Sequence, residues 1–148
     1  MLTHEQGAHC SQSRDLNHKT STRFILNKSQ TMPFIDLNKQ PTLNVAPGCR
    51  LRTPHGENLM LSYVEMEESA EIPLHDHPHE QGGVVLSGTL RLTIGEETRA
   101  IGPGEMYLIP PNVPHRAIAE GGPAVVMDVF SPIREDYIEK TRAAEQIT

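Results

Sequence analysis

From Pro33 onward, apolar and polar residues alternate with a period of two through several short stretches. Met60, Ser62 and Val64 fall opposite Leu59, Leu61 and Tyr63; Leu90, Leu92 and Ile94 fall opposite Arg91 and Thr93. Near the C-terminus Val126, Asp128 and Phe130 share one parity, and Val125, Met127 and Val129 the other. Successive side chains of a strand face opposite ways, so these runs predict half-buried β-strands. Turn signals separate them: Asn44–Gly48 and Thr53–Asn58 on either side of Cys49–Arg52, then Gly95–Glu97, Gly102–Gly104 and Gly121–Pro123. Pro110, Pro111 and Pro114 remove three ladder donors, so 110–114 reads as a rigid loop. Short strands at close spacing predict an all-β sandwich or barrel. Residues 134–148, rich in Glu, Ala, Arg and Lys, read as a short surface helix.

The first thirty-one residues break the pattern. Residues 1–31 are polar, show no period, and hold one apolar cluster, Phe24-Ile25-Leu26. Such a segment buries too little apolar surface to offset its ordering entropy, and disorder is expected there. Met32 is the expected natural start, and residues 32–148 the single folded domain. No specific role is expected for His4, His9 or His18, nor for His55 in its turn.

Composition narrows the class. The chain has 148 residues, enough for one domain with a real core. A net charge of -6 without a basic block argues against nucleic acid or an anionic membrane as partner. No apolar run is long enough for a transmembrane helix, no signal-peptide core is evident, and Cys10 and Cys49 make no disulfide framework. A cytoplasmic location is expected.

The chemistry concentrates in Ile72–Gly88, which reads IPLHDHPHEQGGVVLSG. If this segment is one extended strand, His75, His77, His79 and Gln81 share a face, and Pro73 and Pro78 favour extension. Two imidazoles and an amide oxygen can hold a divalent metal, and His115, emerging from the proline-rich loop, supplies a further ligand. The proposed metal set is therefore His75, His77, Gln81 and His115. His79 is read either as lying at the rim or as supporting the ligands from behind, and Glu80, of opposite parity, as outward-facing, though near enough to stay a candidate ligand. All four ligands are neutral, so a bound divalent ion keeps its full charge and Lewis acidity.

A second constellation follows. Asp128 sits inside an apolar strand, a costly position unless the acid is paired or working. Phe130 shares its face, and Arg134 carries a donor fork suited to carboxylates. Two readings stand here: a salt bridge between Asp128 and Arg134 that closes the barrel end, or an acid–base group, an aromatic wall and a carboxylate clamp facing the metal.

The paired motifs His75-x-His77-x3-Gln81-x6-Gly88 and Gly104-x5-Pro110-x-Asn112-x2-His115 resemble those of small single-domain cupins. The resemblance covers roughly residues 45–131 and implies a small antiparallel β-barrel of the jelly-roll kind. It departs from the family pattern at Ser69 and Asn112, where glycine is usual, and at Ala119, where asparagine is usual; none of these is a proposed ligand. Asp128-x-Phe130-x3-Arg134 narrows the similarity to the KdgF group, which ketonises 4,5-unsaturated monouronates from pectin and alginate breakdown. That resemblance implies His75, His77, Gln81 and His115 as ligands of one divalent transition metal (Ni, Zn, Mn, Fe or Co). It implies Asp128 and Arg134 as catalytic residues, and Phe130 and Arg134 as contacts of a small anionic sugar acid; Arg91 is counted with the substrate-binding candidates. It also implies a homodimer. The alternatives are another metal-dependent cupin, a dioxygenase or isomerase of a small organic acid, and a non-enzymatic ligand-sensing cupin.

Overall fold

The computed structural model describes residues 34–145; the segment expected to be disordered, and Met32, lie outside the described residues. Among the described residues the strands are β1 (Leu43–Ala46), β2 (Cys49–Arg52), β3 (Met60–Met66), β4 (Glu71–His75), β5 (Glu80–Ser87), β6 (Leu90–Ile94), β7 (Glu97–Ile101), β8 (Met106–Ile109), β9 (His115–Ala119) and β10 (Ala124–Ser131), followed by helix α1 (Glu135–Glu145). They form a six-stranded sheet in the order β1-β2-β3-β10-β5-β8 and a four-stranded sheet in the order β4-β9-β6-β7, with every pairing antiparallel. The expected all-β architecture and C-terminal helix are both present.

The period-two pattern sets which face is buried. In β3, Met60, Ser62, Val64 and Met66 are buried while their neighbours are half-buried, and β10 repeats this with Ala124, Val126, Asp128 and Phe130. The two strands pair with Val126 opposite Val64 and Asp128 opposite Ser62, so both inward rows coincide. Leu90 and Leu92 of the smaller sheet belong to the same apolar cluster as Leu51, Val64, Val85 and Val126 of the larger. Each such side chain, fully buried, stabilises the fold by about 1.5–3 kcal/mol. Polar groups replace apolar ones inside β5 and β10 at Gln81 and Asp128, both buried.

Two local expectations are corrected. Asn44–Ala46 belongs to β1, and the turn is confined to Pro47-Gly48, where Gly48 has φ 70°. Ile72–Gln81 is not one strand: β4 ends at His75 in the four-stranded sheet and β5 begins at Glu80 in the six-stranded one. The intervening residues carry the chain from one layer to the other. Ser69 and Asn112, which replace the usual glycines of the resembling motifs, adopt φ 62° and 61°. They take up the left-handed backbone that glycine serves in those positions.

Helix α1 begins with Glu135 and Asp136 and carries Arg142 in its last turn, an arrangement that complements the helix dipole. It is not wholly a surface element, because Tyr137 is buried in the core cluster. Among the described residues no helix is long and apolar enough to cross a membrane. The outer face of the six-stranded sheet is apolar at its edge: on β8, Met106 and Leu108 are 78% and 75% exposed.

Candidate metal centre and active site

His75 at the end of β4 and His115 at the start of β9 are direct partners across the four-stranded sheet. His77 lies in the crossing between sheets, and Gln81 points inward from β5 of the opposite layer. One candidate ligand atom from each of His75, His77 and His115 lies within 4.8 Å of the others. The His75 and His115 rings are 4.2 Å apart at their centroids, and those of His77 and His115 4.9 Å. The four proposed ligands thus converge, although not by the single-strand route expected.

Main-chain carbonyls orient all three rings. His75 Nδ1 donates to Pro73 O at 2.8 Å, His77 Nδ1 to His79 O at 3.1 Å, and His115 Nδ1 to Val113 O at 2.8 Å. A carbonyl only accepts, so Nδ1 carries the proton and, in a neutral ring, Nε2 keeps its lone pair. Burial first, and then the Arg134 charge, pushes the His77 pKa down to about 4, and burial likewise lowers that of His115. Neutral imidazoles are the state a metal requires.

The donor set fits a cation. His115 Nε2 is buried with no hydrogen-bond partner among the described residues. His77 Nε2 faces Gln81 Oε1 at 3.1 Å, so in this tautomer two acceptors confront one another. A divalent transition ion satisfies both defects, and nitrogen with amide oxygen suits several such metals without selecting one.

Asp128, Phe130 and Tyr107 line the same interior cavity as His75, Gln81 and His115. Burial raises the Asp128 pKa to about 6, held from rising further by hydrogen bonding with Tyr107 and Gln81. The Tyr107 hydroxyl donates to Asp128 Oδ1 at 2.5 Å. Burial, then the facing carboxylate, pushes the Tyr107 pKa well above its usual value, so the phenol stays protonated and acts as donor.

The salt bridge between Asp128 and Arg134 does not form. Arg134 instead clamps Asp136, with Nε and Nη2 donating at 2.8 and 2.9 Å to the two carboxylate oxygens. Its guanidinium lies 4.1 Å from the Tyr137 ring centroid and 5.4 Å from that of Phe130. Burial opposes the charge, but Asp136 and Tyr137 outweigh it and raise the Arg134 pKa. Nη1 is left buried and, among the described residues, without a hydrogen-bond partner.

Three other candidates remain to be placed. Arg91 is not brought to the site: its parity on β6 is opposite to Leu90 and Leu92, its side chain is exposed, and it pairs with Glu120. Of the two places expected for His79 the structure gives the second: it is buried, its Nε2 approaches Glu135 at 3.5 Å, and its carbonyl orients the ligand His77. Glu80 is exposed, as expected.

Sequence reasoning missed Tyr107, Gly83 and Asp136. A glycine inside a strand marks close approach of a neighbour, and Gly83 was the available signal for Tyr107. Asp136 carried no signal, since an acid in the first turn of a helix is ordinarily a dipole partner.

The fold and this site define a class. Residues 62–130 match the cupin domain family, and the chain carries a cupin domain. Within that class the chain is similar to KdgF and to other cupins. The pectin degradation protein KdgF of Dickeya dadantii is 29% identical over 83 residues, covering 55% of this chain and 76% of that protein. The structure of KdgF from Halomonas sp. superposes with a TM-score of 0.67 at 29% identity, covering 72% of this chain and 99% of that one. An H2HPP isomerase of Bacillus subtilis is 41% identical over 69 residues, which is 46% of this chain but only 28% of that relative's length.

Titration calorimetry with Zn²⁺ or Ni²⁺ is expected to show a single site per chain. His115→Ala should abolish it or weaken it by at least ~10-fold. Saturation at about 100 times the dissociation constant should stabilise the fold by about 2.7 kcal/mol in denaturant melts. Asp136 yields a separate expectation. The Arg134 hydrogen bond holds its pKa down at about 2, so its stabilisation is present above the ordinary carboxylate range and is lost as pH falls through about 2. Its side chain is 41% exposed, and screening reduces the contribution to about 1 kcal/mol. Asp136→Asn should therefore lower stability by that amount at neutral pH, with the difference from wild type closing under strong acid.

Proposed function

We propose that this chain is a metal-dependent enzyme that ketonises 4,5-unsaturated monouronates, opening the ring to a linear keto acid. The observation that carries the reading is the convergence of Asp128, Phe130 and Arg134 with the His75–His77–Gln81–His115 cluster. Similarity to KdgF at the level of sequence and structure supports the substrate class.

The reaction is an isomerisation with no net gain of atoms. The bond between the anomeric carbon and the ring oxygen breaks as the anomeric hydroxyl loses its proton and becomes an aldehyde. The double bond takes up a proton at C4, and C5 becomes a ketone. Arg134 Nη1, unpartnered and buried beside Phe130, holds one oxygen of the substrate carboxylate. Phe130 gives the ring an apolar wall, and its own ring lies 5.6 Å from that of His77. Asp128, the buried carboxyl lining the cavity, moves the proton between substrate positions. The divalent ion, when bound by the four neutral ligands, supplies Lewis acidity to the substrate oxygens.

A second reading has one observation in its favour, the 69-residue likeness to an isomerase. It keeps the same site but assigns it to a different small organic acid.

The test is loss of the ultraviolet absorbance of 4,5-unsaturated galacturonate in metal-loaded protein, measured against the spontaneous rate. A large acceleration abolished by chelator is expected. Asp128→Ala should lower kcat by ~10²–10⁴-fold, and Arg134→Ala should act mainly by raising KM, ~10-fold or more. A background rate in fully metallated protein discards the uronate assignment in favour of the isomerase reading.

The apolar outer face of β8 supports a homodimer, with Met106 and Leu108 packed against a second copy. Sedimentation should give twice the chain mass for the wild type and the monomer mass for a Met106→Glu, Leu108→Glu double variant.

A further inference from the structure

Across the larger sheet, Tyr107 of β8, Gly83 of β5 and Asp128 of β10 stand in one register row. Tyr107 and Asp128 are therefore not on adjacent strands, and the phenol reaches the carboxylate by passing over the strand between them. It does so only because position 83 has no side chain. A Cβ at Gly83 would overlap the ring carbon bearing the Tyr107 hydroxyl and that hydroxyl oxygen itself, and would lie 2.5 Å from Asp128 Oδ1. Gly83 has no left-handed φ, so its glycine is demanded by space and not by backbone conformation.

We propose that Tyr107 is a positioning residue for Asp128, and that Gly83 is the gap through which it acts; this rests on the ketonisation reading above. The hydroxyl, donating to Oδ1, fixes the carboxyl rotamer and occupies one oxygen, which leaves Oδ2 as the oxygen that exchanges protons with substrate. Gln81, among the proposed metal ligands, lines the same cavity, and Asp128 itself is buried. A carboxyl in a strand interior has two rotatable bonds. Without the phenol it can turn among several orientations, only some of which present an oxygen to the bound ring.

Removing the hydroxyl with Tyr107→Phe keeps the ring that fills the row. The expected result is a loss of ~10-fold or more in kcat with KM changed by less than ~2-fold, because substrate binding by Arg134 and Phe130 is untouched. In an Asp128→Ala background, adding Tyr107→Phe should cost nothing further, since a residue that acts through Asp128 has nothing left to position. A full additional loss in that background, or full kcat in the single variant, overturns the proposal.

A readout independent of turnover separates this inference from the choice of substrate. Proton NMR of the Zn²⁺-loaded wild type should show a downfield hydroxyl resonance that disappears in Tyr107→Phe and moves in Asp128→Asn. If that resonance is present but unsaturated uronate is not turned over, the substrate assignment fails while the contact stands; if it is absent, the positioning role fails whatever the substrate. Gly83→Ala should reproduce the Tyr107→Phe loss in kcat. If Gly83→Ala does not fold, Tyr107→Phe and the double variant still decide the matter.

Discussion

Everything at this site depends on three local hydrogen bonds from imidazole Nδ1 atoms to main-chain carbonyls. The acceptors, Pro73, His79 and Val113, each lie two residues from the histidine they orient. Local backbone shape therefore fixes the tautomers, and the site needs no distant carboxylate to aim its rings. The arrangement explains why the prolines matter. Pro73, Pro78, Pro110, Pro111 and Pro114 flank the three histidines and stiffen the segments whose carbonyls do the aiming.

The two layers contribute unequally. The four-stranded sheet supplies His75 and His115 as a directly paired couple, and the six-stranded sheet supplies Gln81, Asp128, Tyr107 and Phe130. His77 bridges them from the crossing segment. Arg134 enters from the end of the barrel, just ahead of α1, held by Asp136 and set against the rings of Tyr137 and Phe130. The helix is thus part of the architecture of the pocket. Its acidic first turn serves twice, as a dipole partner and as a splint for the guanidinium.

Much of this was legible in the sequence because a period of two is a strong signal. The inward rows of β3, β6 and β10 follow directly from alternation, and the histidine spacing with a third histidine after a proline loop pointed to one cluster. What alternation cannot report is where a run changes sheet. Residues 72–81 look like one extended strand, yet they end one strand and begin another in the facing layer. Contacts between strands distant in sequence were equally silent. Nothing in Met106–Ile109 advertises that its tyrosine meets Asp128, and nothing around Arg134 says that its partner lies two residues on and not six residues back. Arg91 illustrates the opposite error: its charge suggested a role that its outward parity on β6 had already excluded.

The row of Tyr107, Gly83 and Asp128 constrains how such a chain can drift. Its three positions share one volume of space. A larger residue at 83 displaces the phenol or the carboxyl, and a smaller one at 107 leaves a polar acid facing a void. An exchange that changes side-chain volume at one of them disturbs the other two, so changes of size at these positions are expected to occur together. The row behaves as one heritable unit spread over forty-six positions of chain, and in a set of related sequences it is as joint variation, more than as any single fixed residue, that it should be visible.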